Sequence, residues 1–214
     1  MALEWSGLPY RLSRIEMPGE VSGPAFRAIN PVGATPALLT EAGETLSESM
    51  AILNHIAARS PQSGIAFAQG TRDFDRLNEM LAYLNTSFFG SFSPLWRTLE
   101  HAMEPGEKAA LRAYGAAKVV AVHAELEALL GDKPWLLGEQ KTLADAYFAG
   151  IARWTKYHDV IDRADYPRLQ RLFDKLEADP AVIFAHAIEA GETPKGAGGF
   201  RGHVALADLA GVAA

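Results

Sequence analysis

The chain has 214 residues, 49% hydrophobic and 21% charged, so it can bury a sizeable core and is neither disordered, collagen-like nor of low complexity. Its 20 Lys and Arg against 26 Asp and Glu leave a formal charge of −6, which argues against nucleic-acid partners, because phosphate-backbone affinity comes from basic side chains displacing counterions. There is no cysteine, which excludes disulfides, thiolate metal sites, a cysteine nucleophile and dithiol redox chemistry. The opening run MALEWSGLPYRLS lacks a basic leader and a long apolar core, and no apolar stretch reaches the roughly 18 to 20 residues that span a bilayer. The expectation is a cytoplasmic protein with no membrane segment.

In chain order, Tyr10 to Met17 alternates and stops at Pro18-Gly19. Pro36 to Thr40 and Thr45-Leu46 flank the turn Glu41 to Glu44, as two strands of a hairpin do. Ile52, Leu53, Ile56 and Ala57 recur on one helical face from Ser49 to Arg59, with Ser60-Pro61 as a stop. Residues 61–70 read as a linker.

The remainder reads as helix. Phe74, Leu77, Leu81, Leu84 and Phe88 step by three and four along one stripe. Leu111, Gly115, Val119, Val122, Leu126 and Leu129 form a second helix, opened by Pro105 and closed by Gly131. A third, from about Leu143 to Tyr157, is apolar on most sides, as a helix at the centre of a bundle would be. A fourth carries Leu169, Leu172, Phe173 and Leu176, and a fifth spans Ala181 to Ala190. After Gly191 the bulky residues thin out, so 191–214 is expected to be a flexible tail; its GAGGFRG run fails the dinucleotide fingerprint and follows no strand.

The stretch Asn30-Pro31-Val32-Gly33-Ala34-Thr35-Pro36-Ala37-Leu38 is the most informative. Pro36 opens a strand directly after a turn, where a cis peptide would leave the Thr35 backbone free to pair with a peptide-like ligand. Glu48 and Ser49 stand where the next strand turns into a helix, so free helix N–H groups, a hydroxyl and a carboxylate converge there. The competing readings are an edge-strand proline and plain helix capping by Ser47, Glu48 and Ser49.

Together these two stretches resemble the glutathione transferase superfamily, whose amino-terminal thioredoxin-like half carries such an NPxGxxPAL element followed by a Glu-Ser pair. Trp135-Leu136-Leu137-Gly138 followed by Thr142-Leu143-Ala144-Asp145-Ala146-Tyr147 is similar to the signature of the family's helical half, with Thr142 and Asp145 as a structural capping box. The resemblance covers Ala2 to about Gly191. It implies an α+β chain: a thioredoxin-like glutathione-binding domain over 1–60, the linker, an all-helical domain over 71–190, and the tail.

By the same resemblance, glutathione is a co-substrate held by Thr35, Pro36, Glu48 and Ser49. A hydrophobic electrophile sits between the two halves near Phe89, Phe92, Trp96 and Tyr157, for which core packing is the competing reading. A homodimer is implied, with no separate cofactor. In the family a Tyr, Ser or Cys from the first strand or the following loop activates the thiol. Here Ala2 to Tyr10 matches the end of the first helix and the entry to the second strand, so the first strand and the catalytic residue are expected to be absent from this chain. The catalytic residue is therefore unknown: Ser6 and Tyr10 fall at the wrong end of that helix and Ser13 within a strand. Some bacterial members carry His-Lys before the segment that reads Phe92 to Leu95; this chain has Phe89-Gly90. The six histidines form no i, i+4 pair, so no metal site is expected. The reading is a glutathione transferase-like protein that joins the glutathione thiol to a hydrophobic electrophile in its complete form; the alternative is a non-catalytic binding or assembly protein on the same fold.

Overall fold

In the computed structural model, which describes residues 1–17 and 19–210, the chain divides into two compact units, Met1–Ser63 with Phe184–Ala214, and Gly64–Ile183. The first unit opens with helix α1 (Ala2–Ser6), which ends on Gly7 at φ 71, a left-handed conformation that glycine adopts without a Cβ clash. Strand β1 (Tyr10–Leu12) follows. It is shorter than the alternation to Met17 led one to expect, and Pro18 of the expected stop lies outside the described residues. Helix α2 (Pro24–Ile29) starts on a proline and buries Phe26 and Ile29. Strands β2 (Ala37–Leu39) and β3 (Thr45–Ser47) form the expected antiparallel hairpin, with Ala37 opposite Ser47, Leu38 opposite Leu46 and Leu39 opposite Thr45. Helix α3 (Ser49–Arg59) turns Ile52, Leu53 and Ile56 inward. The chain leaves it through Ser60, whose hydroxyl donates to the Ile56 carbonyl at 2.8 Å.

The second unit is helical. Helix α4 (Arg72–Tyr83) is capped by Thr71, whose hydroxyl accepts from the Phe74 N–H at 3.2 Å. It runs into a wider π-type turn, Leu84–Phe88. Short helix α5 (Phe89–Ser91), α6 (Ser93–Glu100) and the long α7 (Pro105–Leu130) follow. Then come α8 (Leu143–Ala152), α9 (Thr155–His158) and α10 (Pro167–Glu177). Leu77, Leu81, Leu84 and Phe88 are fully buried, as their spacing predicts, together with Val119 and Leu126.

Gly115 lets α6 and α7 approach closely: a Cβ there would stand 2.8 Å from a Leu95 methyl. Glu127 on α7 accepts from the Arg168 and Leu169 N–H groups at 3.0 and 2.8 Å, filling two of the open donors at the start of α10. The expected helix from Leu143 to Tyr157 is in fact two, because the backbone turns between Ala152 and Thr155.

Helix α11 (Pro180–Glu189) crosses from the second unit into the first. Beyond it the expectation of a flexible tail over 191–214 is corrected: strand β4 (Phe200–His203) pairs in parallel with β1, and helix α12 (Leu206–Ala210) packs on α2. Residues 211–214 lie outside the described residues.

Candidate functional site

The loop before β2 is shaped by one buried side chain. Asn30 donates from Nδ2 to the Ala34 carbonyl at 2.6 Å, accepts at Oδ1 from the Val32 N–H at 3.2 Å, and its carbonyl accepts from the Gly33 N–H at 2.9 Å. Arg27 braces the same loop by donating to the carbonyls of Ser22 and Pro31 at 3.2 and 3.0 Å. Glycine suits position 33 on two counts: its φ is 69, and a Cβ would crowd the Val21 carbonyl oxygen at 3.2 Å.

The loop ends on the Thr35-Pro36 bond, which is cis. Thr35 is exposed, and its N–H and C=O have no hydrogen-bond partner among the described residues.

The hairpin register decides what lies across from this edge. The β2–β3 pairing ends with Ala37 opposite Ser47, so Thr35 and Pro36 lead into the one strand at the end where Glu48 and Ser49 leave the other. Two motifs eleven residues apart in sequence, from Pro36 to Ser47, thus become one edge. At its far side α3 begins without a side-chain cap, which departs from the capping reading of Ser47, Glu48 and Ser49. The Ser49 hydroxyl makes no hydrogen bond among the described residues, and Glu48 is exposed with φ 68, a backbone region costly for any residue with a Cβ. The start of α3 therefore offers open N–H groups, a free hydroxyl and a carboxylate, a set suited to a ligand that carries both charges.

A groove of about 850 Å³ runs through this unit, lined by residues of β1 and β2, by Thr35 and Pro36, and by Val204, Leu206 and Leu209 of the C-terminal segment. Tyr10 and Ser13 also line it. The Tyr10 hydroxyl donates to the buried carboxylate of Glu4; its own ionisation is pushed far up by burial and by that carboxylate. This phenol is engaged and has no free proton for a ligand. The Ser13 hydroxyl makes no hydrogen bond among the described residues.

The four aromatics named for a second substrate lie in the helical unit, and the structure separates them. Phe92 is fully buried, with Trp154 at 5.6 Å and Phe88 at 5.8 Å between ring centroids, so it is a core residue and the pocket assignment fails for it. Trp96 packs on Trp154 at 5.2 Å and Tyr157 at 6.1 Å, Phe89 packs on Trp154 at 5.3 Å, and Phe89 and Tyr157 are exposed. Trp154 links this cluster and was missed in the sequence, because it sits in the turn between two helices where no periodicity marks it.

The capping box at Thr142 and Asp145 is present. Asp145 Oδ2 accepts from the Thr142 N–H at 2.8 Å and the Thr142 hydroxyl at 3.1 Å, while Oδ1 accepts from the Leu136 N–H at 2.9 Å. Burial lifts this carboxyl to about 6 against the pull of those bonds. No group of three or more potential metal ligands occurs among the described residues, and no helix there is long and apolar enough to cross a membrane.

Residues 1–59 match the family model of the glutathione S-transferase N-terminal domain, and residues 73–180 that of the C-terminal domain. Maleylacetoacetate isomerase of Pseudomonas aeruginosa is 30% identical over 90% of this chain and 88% of its own length. Glutathione S-transferase GST-4.5 of Xanthomonas campestris is 27% identical over 85% of this chain and 88% of its own. A solved sphingomonad glutathione S-transferase complexed with glutathione superposes with a TM-score of 0.78 at 31% identity, covering 88% of this chain and 91% of that one. Both halves of the fold, thioredoxin-like and helical, thus match in order along the chain, and this glutathione transferase-like protein belongs to the glutathione S-transferase superfamily.

Proposed function

We propose that the protein binds glutathione along the edge formed by Thr35, Pro36, Glu48 and Ser49 and adds its thiol to a hydrophobic electrophile. The observation that carries the reading is the register of the hairpin, whose last pair, Ala37 opposite Ser47, brings the segment after Thr35-Pro36 and the segment before the uncapped start of α3 to the same end. The Thr35 N–H and C=O pair with the ligand's central peptide unit. The Ser49 hydroxyl and the first N–H groups of α3 hold the γ-glutamyl carboxylate, and Glu48 faces its ammonium. The electrophile meets the exposed aromatic faces of Phe89 and Tyr157 and the neighbouring Trp96. A homodimer belongs to the same reading.

Titration calorimetry with glutathione tests it: the wild-type protein should release heat, and Ser49→Ala should weaken binding by about 1 to 2 kcal/mol, roughly five- to thirtyfold in Kd. A wild-type protein that gives no heat refutes it.

One observation favours the non-catalytic alternative, namely that the Tyr10 hydroxyl beside the groove is engaged by Glu4. The two readings part on the bound thiol. A transferase lowers its pKa well below the free value of about 8.5, visible as ultraviolet thiolate absorbance at neutral pH. A binding protein leaves it unchanged.

A further inference from the structure

The C-terminal residues 196–210 are attached to the first unit by contacts with little tolerance. Strand β4 is the sole hydrogen-bonded strand neighbour of β1 among the described residues. The Tyr10 N–H donates to the Gly199 carbonyl at 3.0 Å, and the Val204 N–H to the Leu12 carbonyl at 2.9 Å. Glu4, only 7% exposed, accepts from both the Tyr10 hydroxyl and the Ala197 N–H, so one carboxylate ties together α1, β1 and the returning chain. The Phe200 ring lies 5.8 Å from Tyr10 and 5.2 Å from Phe184.

Two glycines make the approach possible. A Cβ at Gly196 would stand 2.9 Å from a Glu4 carboxylate oxygen, and one at Gly199 would overlap the Leu8 carbonyl. Gly199 faces backbone that cannot give way, and a side chain at Gly196 would have to displace the Glu4 carboxylate, so the run is a fitted surface.

The attachment reaches the candidate site by two routes. Val204, Leu206 and Leu209 line the same groove as Thr35 and Pro36. Helix α12 packs on α2, whose last residue, Ile29, precedes the Asn30 that shapes the loop ending in Thr35. The hold lies wholly within the first unit: two paired positions with a register irregularity between them, one carboxylate, the Phe200 ring and the packing of α12 on α2. Such an element can detach without unpacking the helical unit.

We infer that residues 196–210 act as an intramolecular clip on the ligand site: docked on β1 and α2 they hold the Asn30 to Pro36 loop in place, and released they open the groove and loosen that edge. The effect on ligand rests on the glutathione reading above; the mechanical part does not.

Gly199→Val in the full chain tests it, with amide hydrogen exchange followed by mass spectrometry and glutathione calorimetry as readouts. The variant should exchange about tenfold faster at Tyr10–Leu12 and across 30–39, with the α8 amides unchanged, and should bind glutathione about fivefold more weakly. Tyr10→Phe, which removes only the hydroxyl held by Glu4, should give a smaller change of the same kind, about threefold in exchange, and serves if the valine variant does not fold. If residues 200–210 of the wild-type protein exchange as fast as an unstructured peptide, the clip is overturned. It is overturned also if the variant frees 200–210 while exchange over 30–39 and the glutathione Kd stay as in the wild type. Faster exchange over 30–39 in a protein whose wild-type form gives no heat with glutathione supports the clip and removes the glutathione reading alone.

Discussion

His123 lies inside the helical unit at 1% exposure, packed by Phe88 at 5.0 Å and Tyr166 at 5.5 Å between ring centroids. Its Nδ1 is 2.7 Å from the Val119 carbonyl one turn earlier, so Nδ1 carries the proton and donates, and Nε2 is left buried with no partner. Charging this ring would place a cation in an apolar core close to Arg163. Burial first, and the Arg163 charge in addition, push its pKa down from 6.5 to about 4, against the raising effect of the Val119 carbonyl. The unfolded chain therefore takes up a proton on His123 near pH 6.5, and the folded chain only near pH 4. Across that window the unfolded state binds more protons, so stability falls as the pH falls.

With those two values, linkage makes the His123 contribution small at pH 7 and costs about 2 kcal/mol at pH 5. His123→Leu removes the titrating group at nearly conserved volume. Urea unfolding at about pH 7 and about pH 5 should show the wild-type protein losing about 2 kcal/mol more than the variant between the two conditions. Parallel losses in the two proteins would refute the assignment, and so would a wild-type protein that gains stability on acidification.

Three further outcomes follow from named contacts. Asp145→Ala strands the Thr142 and Leu136 N–H groups inside the protein and should cost about 3 kcal/mol in chemical denaturation; a loss under about 1 kcal/mol would mean that water replaces the carboxylate. Gly115→Val drives a side chain into Leu95 where α6 and α7 touch and should cost about 1 to 3 kcal/mol, read as a lower urea midpoint with an unchanged slope. Glu48→Gly relaxes the positive φ and should stabilise the first unit by about 1 kcal/mol while weakening glutathione binding; tighter binding together with higher stability would show that Glu48 does not face the ligand.

What could be read in the sequence was what repeats along it. The stripe from Leu77 to Phe88 and the positions from Val119 to Leu126 announced the helical core, because burial of one helical face imposes that spacing. The hairpin was legible from its turn, and its register sets Ala37, next to the Thr35-Pro36 bond, opposite Ser47, next to Glu48 and Ser49.

Other parts leave no periodic trace. The parallel pairing of Tyr10 with Phe200 spans nearly the whole chain and rests on Gly196 and Gly199, residues chosen for the side chains they lack, so the segment looked like a loose end. Phe89, Phe92, Trp96 and Tyr157 read alike in the sequence, as pocket aromatics or as core. Only packing tells that Phe92 is enclosed by Phe88, His123 and Trp154 while Phe89 and Tyr157 stay open to solvent. Asn30 stands in the motif before β2, and the two hydrogen bonds of its side chain, to the Ala34 carbonyl and from the Val32 N–H, give the reason that an amide stands there.

The return of the last residues to β1 also orders events during synthesis. The helical unit, Gly64–Ile183, is a continuous stretch and can assemble once it has emerged from the ribosome. The amino-terminal unit, though translated first, waits for Phe200 before β1 gains its strand neighbour. Among the described residues β1 is for that interval an unpaired edge, open to pairing with other nascent chains, and the unit that begins first is the last to close.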